Sequence, residues 1–256
     1  MIDLSGKTIL VTGGSRGIGA AMVASLTGAG AHVLLHYAKS REKAEALAAT
    51  VRASGRGQAT LLGADLANPK AAGALWTAAE KAAPRIDTLV NNAGLANAVP
   101  IEAPLEDWHK TWRLVLQVNL QAAADLARSA IHHFRRHGGG RIVNVASRAA
   151  HRGETAAGWP YAASKAGLIA MTKTIARQYA RENVLAFSIA PGFTDTDMAY
   201  EGGVTETDIQ RIVAEIPLGT MASPQEIGAL TAFLCSDHVR HLTGATFDVN
   251  GASYVR

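Results

Sequence analysis

Cysteine is nearly missing from this chain: one residue, Cys235, in 256. No internal disulfide can form, and such usage fits a reducing compartment. Charge is also sparse, 18% of residues with a net of +4. No block of Lys and Arg is long enough to follow a phosphate backbone, Arg135-Arg136 being the densest basic pair, so no nucleic-acid partner is expected. No apolar run approaches the roughly 18 residues of a membrane span. The opening Met1-Ile2-Asp3-Leu4-Ser5-Gly6-Lys7 lacks the basic and apolar regions of a signal peptide. A cytoplasmic protein without a membrane partner is the expectation. Low-complexity segments, internal repeats and linker-like shifts in composition are missing too, so residues 1–256 read as a single domain.

What is present is alternation. Short apolar runs at 8–11, 32–36, 60–62, 88–91, 141–146, 184–189 and 246–249 read as strands. Amphipathic stretches near 17–29, 40–53, 68–83, 106–137, 161–181 and 224–235 read as helices between them. Continuous apolar strands alternating with helices predict an α/β protein: a doubly wound, Rossmann-type domain whose seven-stranded parallel sheet is covered on both faces.

The first strand runs into Thr12-Gly13-Gly14-Ser15-Arg16-Gly17-Ile18-Gly19. Glycines between strand and helix let backbone N–H groups approach a pyrophosphate at the helix N-terminus, where the dipole favours anions. The spacing of Gly13, Gly17 and Gly19 is G-x-x-x-G-x-G, not the G-x-G-x-x-G of the standard dinucleotide fingerprint. The second strand ends in His36-Tyr37-Ala38-Lys39-Ser40-Arg41. An acid there would bind the ribose 2′-hydroxyl of NAD. Cations and a hydroxyl, with Arg16 able to point the same way and no carboxylate before Glu42, favour the 2′-phosphate of NADP(H) over NAD. Ser40 is also a natural helix N-cap. Asp65-Leu66 and Asn91-Asn92-Ala93-Gly94 follow the third and fourth strands, at the carboxyl ends where open sheets bind ligands.

Asn119 lies among apolar neighbours and must find hydrogen-bond partners, in the core or at a site. His133 and His137 stand four residues apart, a possible metal pair. Beside Arg135, Arg136 and the glycines 138–140, with no further ligand nearby, they read instead as cations at a helix C-terminus, and no metal is expected. Ser147 ends the fifth strand. Fourteen positions on, Tyr161 precedes Lys165 by one helical turn. An ammonium about 4 Å from a phenol is worth roughly 4 kcal/mol at an effective dielectric near 20, enough to lower its pKa by about two or three units unless burial opposes it. No Gly-x-Ser-x-Gly elbow surrounds Ser147, so hydride chemistry beside a nicotinamide accounts for the glycine turn better than hydrolysis does.

Taken in order, Thr12-Gly13…Gly17-Ile18-Gly19, Asp65-Leu66, Asn91-Asn92-Ala93-Gly94, Asn119, Ser147, Tyr161…Lys165 and Pro191-Gly192…Thr196 resemble the short-chain dehydrogenase/reductase family over nearly the whole chain. The strings around Arg141–Asn144, Tyr161–Leu168, Ala190–Phe193, Thr196–Met198 and Ile216–Gly219 are most similar to its 3-oxoacyl-acyl-carrier-protein reductase branch. The resemblance implies Tyr161 as the acid or base, Ser147 as the hydrogen-bond donor to the reacting oxygen, and Lys165 as the group that holds the ribose and lowers the Tyr161 pKa. It implies that Asn119 anchors a water linking Lys165 to solvent. Cofactor contacts are expected from Gly13, Ser15, Arg16, Gly17, Ile18, Gly19, Tyr37, Lys39, Ser40, Asp65, Leu66, Asn91, Ala93 and Gly94. Tyr161, Lys165, Pro191, Gly192, Thr194 and Thr196 complete that set.

Departures from the branch fall near the expected substrate entrance. Arg148, His151, Arg152 and Trp159 lie between or beside Ser147 and Tyr161, and Trp108-His109-Lys110-Thr111-Trp112 looks like an added helical turn. Phe187 stands where the family usually has Asn, and Ala252 where it often has Gly. Tyr200-Glu201-Gly202-Gly203, before a helix opened by a Thr205…Asp208 capping box, suggests a hinged lid. The expected activity is NADPH-dependent reduction of a ketone, or oxidation of a secondary alcohol, with a 3-oxoacyl thioester among the candidates. An NAD-dependent sugar, polyol or hydroxysteroid dehydrogenase is the alternative enzyme, and a catalytically inactive dinucleotide sensor the alternative of another class. Arg135, Arg136 and Arg177 lie where an acyl carrier protein could dock. Apolar residues on more than one side of the helix after Tyr161 predict a partner copy, in a homo-tetramer or dimer.

Overall fold

Parallel strands need crossover connections, and the helices that supply them cover both faces of the sheet. The computed structural model describes residues 2–200 and 205–255. Its strands are β1 (Thr8–Val11), β2 (His32–Tyr37), β3 (Gln58–Gly63), β4 (Thr88–Asn91), β5 (Gly140–Val145), β6 (Val184–Pro191) and β7 (Thr246–Val249). They form one parallel sheet in the order β3-β2-β1-β4-β5-β6-β7. The helices are α1 (Gly17–Gly28), α2 (Arg41–Ser54), α3 (Ala71–Ala82), α4 (Leu105–Leu116) and α5 (Ala122–Arg136). They continue with α6 (Ala149–Arg152), α7 (Trp159–Tyr179), α8 (Asp197–Tyr200), α9 (Glu206–Ala214) and α10 (Pro224–Cys235). The doubly wound α/β architecture read from the alternation is the one observed, and the topological switch lies between β1 and β4.

Alternate side chains of a strand point to opposite faces, and this divides the core in two. Ile9 and Val11 pack with Met22, Val23, Leu26 and Ile227 under α1 and α10. Leu10, with Leu34, Leu89 and Ile142, packs against Leu75, Trp76, Leu126 and Phe134 of α3 and α5. Phe187 is fully buried among the α1/α10 residues and adds to the core there.

Differences from the sequence expectation have local causes. The third helix begins at Ala71, three residues late, because Asn68 makes a turn: its Oδ1 accepts from Lys70 N and its carbonyl from Ala71 N. The long helix expected over 106–137 is broken by a π-helical turn, Gln117–Gln121, which separates α4 from α5 and contains Asn119. Such single turns are frequent at functional positions. Helix α6 has no sequence signal, since four residues show no periodicity. Ser40 occupies the N-cap position of α2, but its side chain makes no cap bond. The Thr205–Asp208 capping box is present and opens α9. The proposed glycine hinge, Gly202-Gly203, lies outside the described residues.

The histidine pair also departs from expectation. His133 is buried between α5 and α3, not a cation at a helix end. Its Nε2 accepts from Ile86 N, so Nδ1 carries the proton it donates to Glu80 Oε1, and burial lowers its pKa. His137 alone serves the helix end, with Nδ1 2.9 Å from the His133 carbonyl.

Ala252 is exposed yet holds φ +64°, one of two positive-φ non-glycine residues among those described. A Cβ in that region costs roughly 1–2 kcal/mol, partly offset by the stiffer unfolded chain. Ala252→Gly is therefore expected to raise stability by about 0.5–1 kcal/mol in urea unfolding. A lower midpoint would contradict strain at this turn.

Candidate active site

The site lies at the carboxyl ends of β1, β2, β4, β5 and β6, around a cavity of about 950 Å³. That is at the upper end of the roughly 300–1,000 Å³ usual for small-molecule sites. One end is the glycine turn. Gly13 has φ +65°, and a Cβ on Gly19 would stand 2.0 Å from the Gly13 carbonyl oxygen. Only glycine permits this fold of the backbone. The N-terminus of α1 has no acidic residue in its first turn and no side-chain cap, leaving its N–H groups and dipole to an anion.

The turn is tied down on both sides. Gly13 N donates to His36 Nδ1 at 3.1 Å, so His36 Nε2 carries the proton given to the Ala64 carbonyl at 3.0 Å. Burial lowers the His36 pKa, which keeps that neutral tautomer. Asn92 Nδ2 donates to the carbonyls of Thr12 and Gly13, and Thr12 Oγ1 accepts from Asn92 N and Ala93 N. His36 and Asn92 both line the cavity and were not chosen from the sequence as site residues. The signal for Asn92 was the alternation of a strand: Asn91 ends β4 facing inward, so its neighbour faces the other way.

Most expected cofactor contacts line this cavity. Gly13, Ser15, Arg16, Gly17, Ile18 and Gly19 form one wall; Lys39, Ser40, Asp65 and Leu66 continue it. Ala93, Gly94, Tyr161, Lys165, Pro191, Gly192, Thr194 and Thr196 supply the rest. Asn91 and Tyr37 do not line it. Asn91 is buried in the sheet, where Nδ2 donates to Asn144 Oδ1 at 2.9 Å. Tyr37 packs against the α1/α10 core instead. A carboxylate not foreseen near the cationic end is Asp197 of α8, brought there by the fold and paired with Lys43 at 3.1 Å.

The other end holds Ser147, Tyr161 and Lys165. Helix α7 is set against the sheet by a buried polar ladder. Asn144 Nδ2 and Ser188 Oγ both donate to Thr172 Oγ1 at 2.8 Å, and Thr172 passes its own proton to the Leu168 carbonyl. At the start of α7, Asn119 Nδ2 donates to Ser164 Oγ and to the Leu95 carbonyl, while its Oδ1 accepts from Leu95 N. Asn119 does not line the cavity. Its side chain joins the first turn of α7 to Leu95.

Tyr161 and Ser147 are hydrogen-bonded side chain to side chain. Burial raises the Tyr161 pKa; the Ser147 bond lowers it and the charge of Glu154 raises it further. Burial thus opposes the lowering expected from the Lys165 charge. The Lys165 ammonium stands 5.7 Å from the Tyr161 ring centre and donates to the Val145 carbonyl at 2.8 Å. Buried with no carboxylate partner among the described residues, it is itself pushed down to about 8. A neutral phenol beside a hydroxyl, at the end of an anion cradle, is equipped to give a proton to an oxygen.

Trp108 contacts Trp112 and the half-exposed Trp159, with ring centres 5.9 and 5.6 Å apart. Ile101 and Leu105 are also exposed. Arg148 enters the cavity wall directly, with its guanidinium 4.5 Å over the Phe193 ring.

A family model described as enoyl-(acyl carrier protein) reductase matches residues 13–252. A 3-oxoacyl-[acyl-carrier-protein] reductase of Rickettsia felis is 36% identical over 252 residues, 98% of either chain. A 3beta-hydroxysteroid dehydrogenase 1 of Eggerthella lenta is 34% identical over 97% of this chain and 94% of its own. The crystal structure of a 3-oxoacyl (acyl-carrier-protein) reductase of Agrobacterium tumefaciens with NADP bound superposes with a TM-score of 0.89 at 33% identity. That match covers 98% of this chain and 95% of the other.

The buried Lys165 makes a prediction about stability. Its folded pKa, about 8, lies below the model-compound value of 10.5. Between those values the unfolded chain binds more protons, so stability rises with pH there, and the penalty is complete below pH 8. At pH 7 Lys165→Met is expected to melt higher, by about 1–2 kcal/mol after the lost bond to Val145 is counted, while losing turnover. Calorimetry at pH 7 and 10 checks this: the gap between variant and wild type should narrow at the higher pH.

Proposed function

This chain belongs to the short-chain dehydrogenase/reductase family, and we propose that it works there as an NADP(H)-dependent reductase of ketones. One observation carries this reading: Ser147, Tyr161, Lys165 and the glycine cradle border the same cavity. The cradle suits a dinucleotide, since the missing side chain at Gly19 lets the turn fold tightly against the uncapped N-terminus of α1. Arg16, Lys39 and Ser40 border its outer end and suit a 2′-phosphate, with Asp197 neutralised by Lys43. The NADP in the Agrobacterium relative supports the same choice.

When bound, the reduced dinucleotide supplies a hydride. The chain's own residues manage the oxygen. Ser147 donates a hydrogen bond to the carbonyl oxygen, and Tyr161, kept protonated at neutral pH by burial, transfers the phenolic proton as the alcohol forms. The Lys165 ammonium offsets the charge of the resulting tyrosinate in a site where water screens little. Asn119, through Ser164 and Leu95, keeps α7 and the loop at a fixed height. Ser15, Gly17, Thr194 and Thr196 are proposed as phosphate and ribose contacts, and Pro191 and Gly192 as the nicotinamide side.

A second copy of the chain is part of the proposal. Helix α7 leaves Ala163, Ala166 and Ala170 exposed opposite its buried stripe, which supports a dimer or tetramer through helix packing. The acyl-carrier reading has weaker support. Arg135 is paired with Glu182 and Arg136 with Glu80, leaving Arg177 as the exposed arginine of the expected three without an ion pair among the described residues. The cytoplasm is the proposed location. The lone, buried Cys235 thiol is in keeping with it, and no helix among the described residues is long and apolar enough to cross a membrane.

Tyr161→Phe should bind NADPH as wild type does, and both more tightly than NADH, while ketone reduction falls at least about 100-fold. Fluorescence titration and loss of reduced-cofactor absorbance measure the two; unchanged turnover would sink the mechanism, and tighter NADH binding the cofactor choice. Light scattering at micromolar concentration should give a mass above that of one chain, and a monomer alone would refute the partner copy.

A further inference from the structure

Buried charges are normally paired, because taking an ion out of water costs several kcal/mol unless a counter-charge or full hydrogen bonding replaces the water. Arg148 breaks this pattern. It is 4% exposed, follows Ser147 directly and lines the catalytic cavity. Its guanidinium has five N–H donors, yet it makes one side-chain hydrogen bond, from Nη1 to Ser253 Oγ at 2.7 Å. One face rests on the Phe193 ring. No carboxylate forms an ion pair with it among the described residues. The two acids whose fields reach it are engaged elsewhere: Glu215 stands 3.9 Å from Arg152, and Glu154 Oε1 accepts from Thr155 N. Arg152 adds a like charge. The buried polar atoms left without a partner include Arg141 Nε but none of Arg148. The unused Arg148 donors therefore open on the cavity.

We propose that Arg148 is the anion-recognition residue of the substrate site, and that the carbonyl compound reduced here is a short oxo carboxylate. This rests on the ketone-reductase reading and narrows its substrate class. The position of the anion follows from chain geometry. Arg148 follows Ser147 in the chain and lines the same cavity as Ser147 and Tyr161, which places the charge it meets a few bonds from the carbonyl those two hold. A free carboxylate one to about four carbons from the carbonyl meets that condition, and its two oxygens match the fork of a guanidinium. A 3-oxoacyl thioester is uncharged over that distance and would leave Arg148 as unpaired in the complex as it is without ligand.

The test compares 2-oxo, 3-oxo and 4-oxo carboxylates with their methyl esters, using NADPH and the whole protein. At least one carboxylate should exceed its ester in kcat/KM by about 10- to 100-fold, chiefly through KM, as for a buried charge-assisted pair. Arg148→Met should bring that ratio near one, and Arg148→Lys should keep part of it. Esters equal to or better than every carboxylate in the wild type would overturn the proposal, whatever the folding of the variants. So would a ratio unchanged in a folded Arg148→Met protein. Calorimetric titration of the same oxo carboxylate into the wild-type protein with NADP+ gives a readout independent of turnover. Binding without reduction would fault the reductase reading and keep Arg148's role; reduction of neutral ketones with no carboxylate binding would do the reverse.

Discussion

A single ammonium held out of water governs the arrangement of the catalytic end. Lys165 Nζ is buried with one carbonyl, that of Val145, as its hydrogen-bond acceptor, and its pKa falls to about 8 as a result. Such a group hydrates itself if the helix carrying it slides or frays. The neighbouring elements prevent that. Asn144, Ser188 and Thr172 pin the middle of α7 to β5 and β6 through side-chain bonds that leave Thr172 fully satisfied. Asn119 pins its first turn through Ser164. Gly94 completes the enclosure: a Cβ there would come within 3.3 Å of the ammonium and 3.4 Å of Asn119 Oδ1. The cost of the buried charge is thus borne by a rigid surround, as expected where a site is destabilised for function.

The anion end works by a different rule. A glycine turn free to move would bind phosphate poorly, because ordering it would subtract from affinity. Here the turn is ordered before any ligand arrives. His36 receives one of its N–H groups, Asn92 takes two of its carbonyls, and Thr12 joins it to β4. The histidine does this only as a neutral ring, and burial keeps it so. Cations at the rim then choose among anions, while the turn itself supplies the common pyrophosphate contact.

Between the two ends the cavity is mostly apolar in character, with Leu95, Leu114, Val118 and Phe193 on its walls. Asn97, Glu154 and Thr155 also line it, and Arg148 is the buried cation of this stretch, whose position beside Ser147 makes charge a part of substrate choice. Residues near it come from three separate parts of the chain: Phe193 after β6, Ser253 after β7, and Arg152 at the end of α6. The C-terminal turn therefore belongs to the substrate side of the site, where His151 stacks on Tyr254 with ring centres 5.8 Å apart.

By itself, the sequence determined the strand and helix order, the glycine turn, and the spacing of Ser147, Tyr161 and Lys165. These are local matters: apolar period, backbone freedom at glycine, and the one-turn step of a helix. The carboxyl ends of the strands follow from that order, so most of the cavity wall was legible too. Only the tertiary structure decided which polar residue of a pair faces the ligand. Asn91 turned inward and Asn92 outward, Asn119 spent its amide on Leu95 and Ser164, and His133 became a neutral bridge to Ile86 and Glu80. The balance of pKa shifts belonged to it as well. From the spacing, the Lys165 charge should have lowered the Tyr161 pKa, but desolvation depends on how many atoms surround both groups, and that count exists only once the chain has closed around them.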